Sequence, residues 1–123
     1  MDYSGHENRR QHPRVREDLK VKITSMDPPD NRPPTEQPIE CHTKDISFQG
    51  MCIISHVRIE PGSKLQLQVQ VKDPLASFSF SGIVIWCNYN STTGVYEIGI
   101  QLFDVDNFPV DWKRLVIDLI AKS

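Results

Sequence analysis

The chain has no long apolar run and few cysteines. No stretch of its 123 residues approaches the roughly 20 apolar residues that a membrane-spanning helix needs. The first residues also lack the apolar middle region of a secretion signal, so we expect a cytoplasmic protein without membrane insertion. Cys41, Cys52 and Cys87 lack Cys-x-x-Cys spacing, which favours free thiols over a disulfide framework. The first two cysteines match no standard zinc spacing with His42 and His56, so no metal site is predicted.

A large excess of one charge is also absent. The formal net charge is −2 at pH 7, which gives no overall attraction to nucleic acids or anionic membranes. The segment 9–22 is nevertheless basic, because only Glu17 and Asp18 oppose Arg9, Arg10, Arg14, Arg16, Lys20 and Lys22. A basic segment on a mildly acidic chain favours a compact anionic partner over a long polyanion. No Gly-rich phosphate loop and no hydrolase motif occurs, so an enzyme is not predicted.

Alternating apolar and polar residues predict a chain dominated by β-strands. Residues 1–16 lack this alternation and are predicted to form a flexible arm, so that the folded domain spans 17–123. The segment 26–38 contains five prolines, which predicts an extended loop. Six strands are predicted, over residues 19–25, 39–46, 51–54, 64–71, 78–89 and 95–103.

The C-terminal segment changes to a helical period. Apolar residues recur on one face of a helix from Phe108 to Ile120, which predicts a helix over about 109–121. Short antiparallel strands at this spacing favour a small barrel, with the helix over one end or edge. Trp86 and Trp112 lie on apolar patterns and are predicted to be buried rather than to act as stacking platforms. Gly82 is predicted to mark a bulge or bend.

A first motif pairs Arg10 with Arg14, four residues apart and directly before the first predicted strand. A guanidinium group binds phosphate, or the O6/N7 edge of guanine, through two parallel hydrogen bonds. It also stacks on purine faces. Taken alone, the same spacing is typical of a solvated basic tail.

A second motif, Asp-x-Ser-x-x-Gly, lies between two predicted strands and comprises Asp45, Ser47 and Gly50. Residues i and i+2 of a strand share a face, so Asp45 is expected to accept from guanine N1–H and N2–H beside the Ser47 hydroxyl. Gly50 is predicted to supply the positive φ that closes the turn. The alternative is that these side chains bond only to local backbone groups.

With both motifs in this order along the strand plan, the chain resembles the PilZ domain, a bacterial receptor module for cyclic di-GMP. Residues 58–65, with Pro61-Gly62, resemble the family's turn into a central strand. Residues 82–87 and 96–103 resemble its closing hairpin, and the likeness extends over about residues 9–120. The resemblance implies a six-stranded antiparallel β-barrel of the split-barrel type with a C-terminal α-helix, and an N-terminal arm folded across its outer surface.

The resemblance also implies the site residues. The arginines of the arm are expected to contact guanine edges and phosphates and to stack on the bases. The polar pair of the second motif is expected to meet guanine, and its glycine to shape the turn. The residues implied to bind cyclic di-GMP are Arg9, Arg10, Arg14, Asp45, Ser47 and Gly50.

The expected function is that of a cyclic di-GMP receptor or adaptor without any other cofactor. Binding is expected to order the arm over the barrel, so that a downstream effector protein of motility, pilus or exopolysaccharide control reads the new surface. The chain is expected to be a monomer or a ligand-linked dimer. Two alternatives are a PilZ-like protein–protein interaction module that binds no dinucleotide, and a small-barrel nucleic-acid binder, against which the net charge argues.

Overall fold

The computed structural model describes residues 15–30, 32–34, 37–72, 75–104 and 108–122. Within these ranges the chain forms seven strands and one helix. In chain order they are β1 (Val15–Arg16), β2 (Lys20–Asp27), β3 (Ile39–Ile46), β4 (Gly50–Ser55), β5 (Lys64–Lys72), β6 (Leu75–Asn90), β7 (Val95–Leu102) and α1 (Val110–Lys122).

Six of the strands close into a barrel. Hydrogen bonding links them in the order β3-β2-β5-β6-β7-β4, and β4 then pairs with β3 to complete the circle. All of these pairings are antiparallel. The predicted six-stranded barrel with a C-terminal helix is thereby confirmed.

The short strand β1 lies outside this circle and pairs with the end of β3. Val15 pairs with Ile46, and Arg16 pairs with Asp45. Both residues of β1 fall within the segment predicted to be a flexible arm. Their pairing attaches the end of that segment to the strand that carries Asp45.

The hairpin of β5 and β6 is the most regular part of the barrel. Its strands form nine consecutive pairs, from Lys64 with Ile83 to Lys72 with Leu75, without a register shift. Three inward residues of β5, Leu65, Leu67 and Val69, are at most 1% exposed. Burial of each such side chain contributes roughly 1.5–3 kcal/mol.

The helix α1 packs against the first half of β6 through aromatic rings. Trp112 is completely buried, which confirms its predicted place in the core. Its ring centroid lies 5.3 Å from that of Phe78 and 4.8 Å from that of Phe80. Phe108 adds an edge-on contact to Phe80 at 4.9 Å. Tilted and edge-on arrangements are those that aromatic pairs favour, so the helix is fixed firmly to the barrel.

Three register shifts interrupt the ladders, and each adds one residue to a strand. The additional residues are Thr24 in β2, Lys44 in β3 and Ile85 in β6. Such β-bulges redirect the side chains that follow them. The bulge predicted at Gly82 therefore lies three residues further along, at Ile85. Because of it, the predicted burial of Trp86 is wrong, and its side chain is turned outward and 38% exposed.

Candidate ligand-binding site

One row of paired residues crosses the outer surface of the barrel through Asp45. Asp45 of β3 pairs with Arg16 of β1 and with Cys52 of β4. Cys52 pairs with Gly99 of β7, and Gly99 pairs with Trp86 of β6. Directly paired residues share a face of a sheet, so these five side-chain positions point outward together. We call Arg16, Asp45, Cys52, Gly99 and Trp86 the Asp45 row.

The Trp86 indole lies directly on the backbone of Gly99. A Cβ atom at Gly99 would overlap the ring atoms Nε1, Cε2 and Cζ2. Glycine in the interior of a strand often marks such a close approach. An indole packed on one side and open to solvent on another can stack against a planar base. This end of the Asp45 row therefore has the chemistry of an aromatic platform.

An ion pair flanks the Asp45 row. The Lys44 ammonium donates a hydrogen bond to Oε1 of Glu97 at 2.9 Å, and the Asn90 amide donates to Oε2 of the same carboxylate at 3.4 Å. The side chains of Lys44 and Glu97 are 39% and 23% exposed. The hydrogen bond to Glu97 raises the pKa of Lys44, and the same bond lowers the pKa of Glu97. Both groups are therefore charged at neutral pH.

Ser47 and Gly50 hold the turn between β3 and β4. The Ser47 backbone N–H and hydroxyl donate to the Gly50 carbonyl at 2.9 and 3.2 Å, and Ser47 is only 5% exposed. The positive φ predicted for Gly50 is wrong, since among the described glycines only Gly62 and Gly94 have one. Gly50 is instead required by a close approach, because a Cβ there would overlap the Ile100 carbonyl oxygen.

The arginines of the first motif, Arg9, Arg10 and Arg14, lie outside the described residues. The described chain begins at Val15, which pairs with Ile46. The segment that carries the arginines thus joins the barrel next to the Asp45 row. Of the second motif, Asp45 lies on the outer row, whereas Ser47 and Gly50 shape the adjoining turn.

The cysteines Cys41 and Cys52 lie on opposite sides of the barrel wall. Cys41 contributes to the core, and burial raises the pKa of its thiol, which keeps it neutral. Cys52 lies on the outer side of β4, in the Asp45 row. In the part of the chain that the structure describes, no three His, Cys, Asp or Glu side chains are grouped so as to hold a metal ion. The same part contains no helix with the length and apolar character needed to cross a bilayer.

Three features of the site escaped the sequence patterns, and two of them left a signal. Residues 83–86 are four apolar residues in succession, which strict alternation cannot accommodate on one strand face. This run signals the bulge that turns Trp86 outward. Gly99 stands between two isoleucines, and a glycine at an outward strand position signals a close approach. The pairing of Lys44 with Glu97 left no local signal, because their sequence separation is 53.

The profile of the PilZ domain matches residues 8–121. The chain belongs to the PilZ domain family. PilZ domains are ligand-binding receptor modules, and the barrel described above is that of solved PilZ structures. No curated protein sequence matches the chain.

Three solved structures illustrate the shared PilZ fold. The Bacillus subtilis inhibitor of motility MotI/DgrA is 16% identical with a TM-score of 0.71, and the match covers 93% of this chain and 51% of that one. The PilZ domain of Escherichia coli YcgR, solved with c-di-GMP, is 13% identical with a TM-score of 0.65, and 93% of each chain is covered. Borreliella burgdorferi PlzA, solved in complex with c-di-GMP, is 17% identical with a TM-score of 0.55, covering 96% of this chain and 43% of PlzA. The chain thus spans about half the length of MotI/DgrA and less than half the length of PlzA.

Proposed function

We propose that the protein is a receptor for cyclic di-GMP, which binds between the N-terminal arm and the Asp45 row. One observation carries the proposal. A carboxylate and an outward-facing indole lie on the same cross-strand row of a PilZ barrel, and β1 attaches the arginine-bearing segment to that row. The structures of the YcgR PilZ domain and of PlzA, both with c-di-GMP, support the same ligand class.

Asp45 and Trp86, which lie far apart on the Asp45 row, suit two purines. Asp45 and Trp86 are separated by three strand-to-strand steps, which is about 14 Å along the sheet at about 4.8 Å per step. A carboxylate accepts from the N1–H and N2–H donors on the edge of guanine, whereas an indole stacks on its face. A ligand with two guanines can therefore use both residues at once, which a mononucleotide cannot.

The arm is proposed to supply most of the positive charge. Cyclic di-GMP carries two negative charges, and Arg10 and Arg14, with Arg9, provide guanidinium groups for phosphates and guanine edges. Ordering the arm costs conformational entropy, which these charge-assisted hydrogen bonds and stacking contacts offset. Ser47 and Gly50 contribute by fixing the turn that follows Asp45.

The output of the receptor is proposed to be a protein contact. The ordered arm and its ligand would form a surface that a cytoplasmic effector reads, in motility, pilus or exopolysaccharide control. The fold shared with an inhibitor of motility supports motility as the first of these to examine. We propose a monomer that becomes either a ligand-bound monomer or a ligand-linked dimer.

Titration calorimetry with cyclic di-GMP tests the receptor proposal. The wild type is expected to bind with nanomolar to micromolar affinity, and the fitted stoichiometry distinguishes one ligand from a stacked pair. Arg10→Ala and Arg14→Ala are expected to lose most of the binding, as is Asp45→Ala. Arg114→Ala is the matched control, because Arg114 is exposed on α1. If both arm variants bind as tightly as the wild type, the proposed site is wrong.

A further inference from the structure

The position of Lys44 depends on the bulge in β3. Lys44 is the additional residue between Thr43 and Asp45, where the register against β4 shifts. Bulges often redirect one side chain near a functional surface. Here the lysine side chain crosses β4 to reach Glu97 on β7.

Glu97 belongs to the same outer surface as the Asp45 row. It precedes Gly99 by two residues on β7, and alternate residues of a strand share a face. The Lys44 ammonium, bound to the Glu97 carboxylate, therefore lies on the same outer surface, beside the row. Asn90 donates to the second carboxylate oxygen, so the acceptor of the lysine is itself held in place.

The charges around the row indicate that the Lys44 ammonium can bind an anionic ligand. Around the row, the two carboxylates of Asp45 and Glu97 are matched in number by the cations of Arg16 and Lys44, and the Asp18–His42 pair lies beyond Glu97, with His42 on β3. A dianionic ligand adds two negative charges to this balanced surface. Lys44 is already directed across the surface by a charge-assisted hydrogen bond, and an ammonium has three N–H donors. It can therefore bond to Glu97 and to a phosphate oxygen at the same time.

We propose that Lys44, tethered by Glu97, is a phosphate-binding residue of this site. The inference rests on the proposed function and adds a contact on the barrel itself to those of the arm. A surface ion pair with a purely structural role contributes little to folding and has no reason to alter ligand affinity or its dependence on salt.

The test compares cyclic di-GMP binding by four variants at two salt concentrations. They are Lys44→Met, which keeps the apolar stem, the double variant Lys44→Met/Glu97→Gln, Lys22→Met and Arg10→Ala. Lys22→Met is the matched control, since Lys22 is exposed on the outer face of β2, where it pairs with Glu40 and Gln68. Thermal unfolding confirms that each variant is folded.

Lys44→Met is expected to bind about tenfold more weakly than the wild type at low salt, as for a lost hydrogen bond between charged groups. Its affinity is also expected to fall less steeply as salt is added, because one cation no longer meets the ligand. The double variant is expected to bind as weakly as Lys44→Met, and Lys22→Met as tightly as the wild type.

Two results would overturn the inference about Lys44. One is wild-type affinity in Lys44→Met. The other is wild-type affinity in the double variant, which would assign the loss in Lys44→Met to repulsion from an unpaired Glu97. If the wild type binds and Arg10→Ala does not, either result leaves the proposed function standing. If the wild type itself does not bind cyclic di-GMP, the proposed function fails, and this inference fails with it.

Discussion

The outer surface of the β5–β6 hairpin differs in construction from the surface that carries the Asp45 row. On the hairpin, alternation runs through nine unbroken pairs, and the outward side chains are mainly glutamine and serine. On the other surface, β3 and β6 each carry a bulge. Gly50 and Gly99 have no side chain there, which lets the Ile100 carbonyl and the Trp86 ring approach the backbone closely. The inner side of the regular face packs into the core. The interrupted face carries a carboxylate, an ion pair and an indole. The bulges and glycines that interrupt the pattern therefore position the residues of the candidate site.

The largest expected effect is on the core that both faces share. Trp112→Ala removes a completely buried ring that contacts Phe78 and Phe80, and the free energy of unfolding is expected to fall by about 3–5 kcal/mol. Ile117→Ala, at a position 55% exposed on the same helix, is expected to change it by less than about 0.5 kcal/mol. Urea denaturation measures both. Equal losses in the two variants would mean that α1 is not fixed by its aromatic face.

Gly99→Ala breaks the interrupted face alone. The added Cβ overlaps the Trp86 ring, so the indole must move, at an expected cost of about 1–3 kcal/mol in stability. Affinity for cyclic di-GMP is expected to fall together with a shift in tryptophan emission. Gln68→Ala, at an outward position of the regular hairpin, should change neither. Unchanged emission in Gly99→Ala would contradict the contact between Trp86 and the Gly99 backbone.

Trp86→Ala tests whether the interrupted face binds a base by stacking. Removing the platform is expected to weaken cyclic di-GMP binding by about 1–3 kcal/mol, the usual value of one base stacked on an aromatic ring. The free energy of unfolding is expected to fall by less than in Trp112→Ala, because the Trp86 side chain is 38% exposed. Ile85→Ala, at its 51% exposed neighbour, is the control for loss of apolar surface. Calorimetry that finds the same loss in both variants would argue against stacking.

The smallest expected effect is the dependence of stability on pH through the Lys44–Glu97 pair. The pKa of Glu97 is lowered, so the contribution of this carboxylate is complete above its ordinary value of 4.5 and is lost as pH falls through the folded value. The pKa of Lys44 is raised, so its contribution is complete below 10.5 and is lost as pH rises through the folded value. At pH 7 the free energy of unfolding of the wild type is expected to exceed that of Lys44→Met/Glu97→Gln by less than about 1 kcal/mol.

Denaturation of the wild type and of the double variant at pH 7 and at pH 3 measures this effect. The stability gap between them is expected to narrow at pH 3, because this pH lies below the ordinary pKa of a glutamate and the lowered pKa of Glu97 contributes less there. A gap that widens on acidification would contradict the lowered pKa of Glu97.

Sequence patterns predicted the regular face almost completely and the interrupted face only in part. Lys64–Lys72 alternates with period two, so its strand and its inward residues follow from the side chains alone. Trp86 was predicted to be buried, but it points outward. The additional residue Ile85 reverses the inward and outward alternation of the residues that follow it. The position of a bulge depends on the partner strand, which local patterns do not contain.

The glycines show the same limit. A glycine next to a turn suggests a positive φ, yet Gly50 is needed because the Ile100 carbonyl of another strand approaches it. The Lys44–Glu97 bond likewise joins strands that only the closed barrel brings together. Asp45 and Ser47 were expected to share one side, whereas in the structure Asp45 lies on the outer row and the buried Ser47 hydroxyl is bonded within its own turn.

The attachment of β1 to β3 sets the distance along the chain between the arginines of the arm and the Asp45 row. Two residue pairs fasten the chain at Val15 and Arg16, so Arg14 is one residue, and Arg10 five residues, from an anchored point beside Asp45. In the proposed receptor, groups on so short a tether would have an effective local concentration in about the millimolar range at the site, whatever the amount of protein in the cell. Lengthening the tether would dilute the arginines at the site by roughly the −3/2 power of its length, without removing any contact.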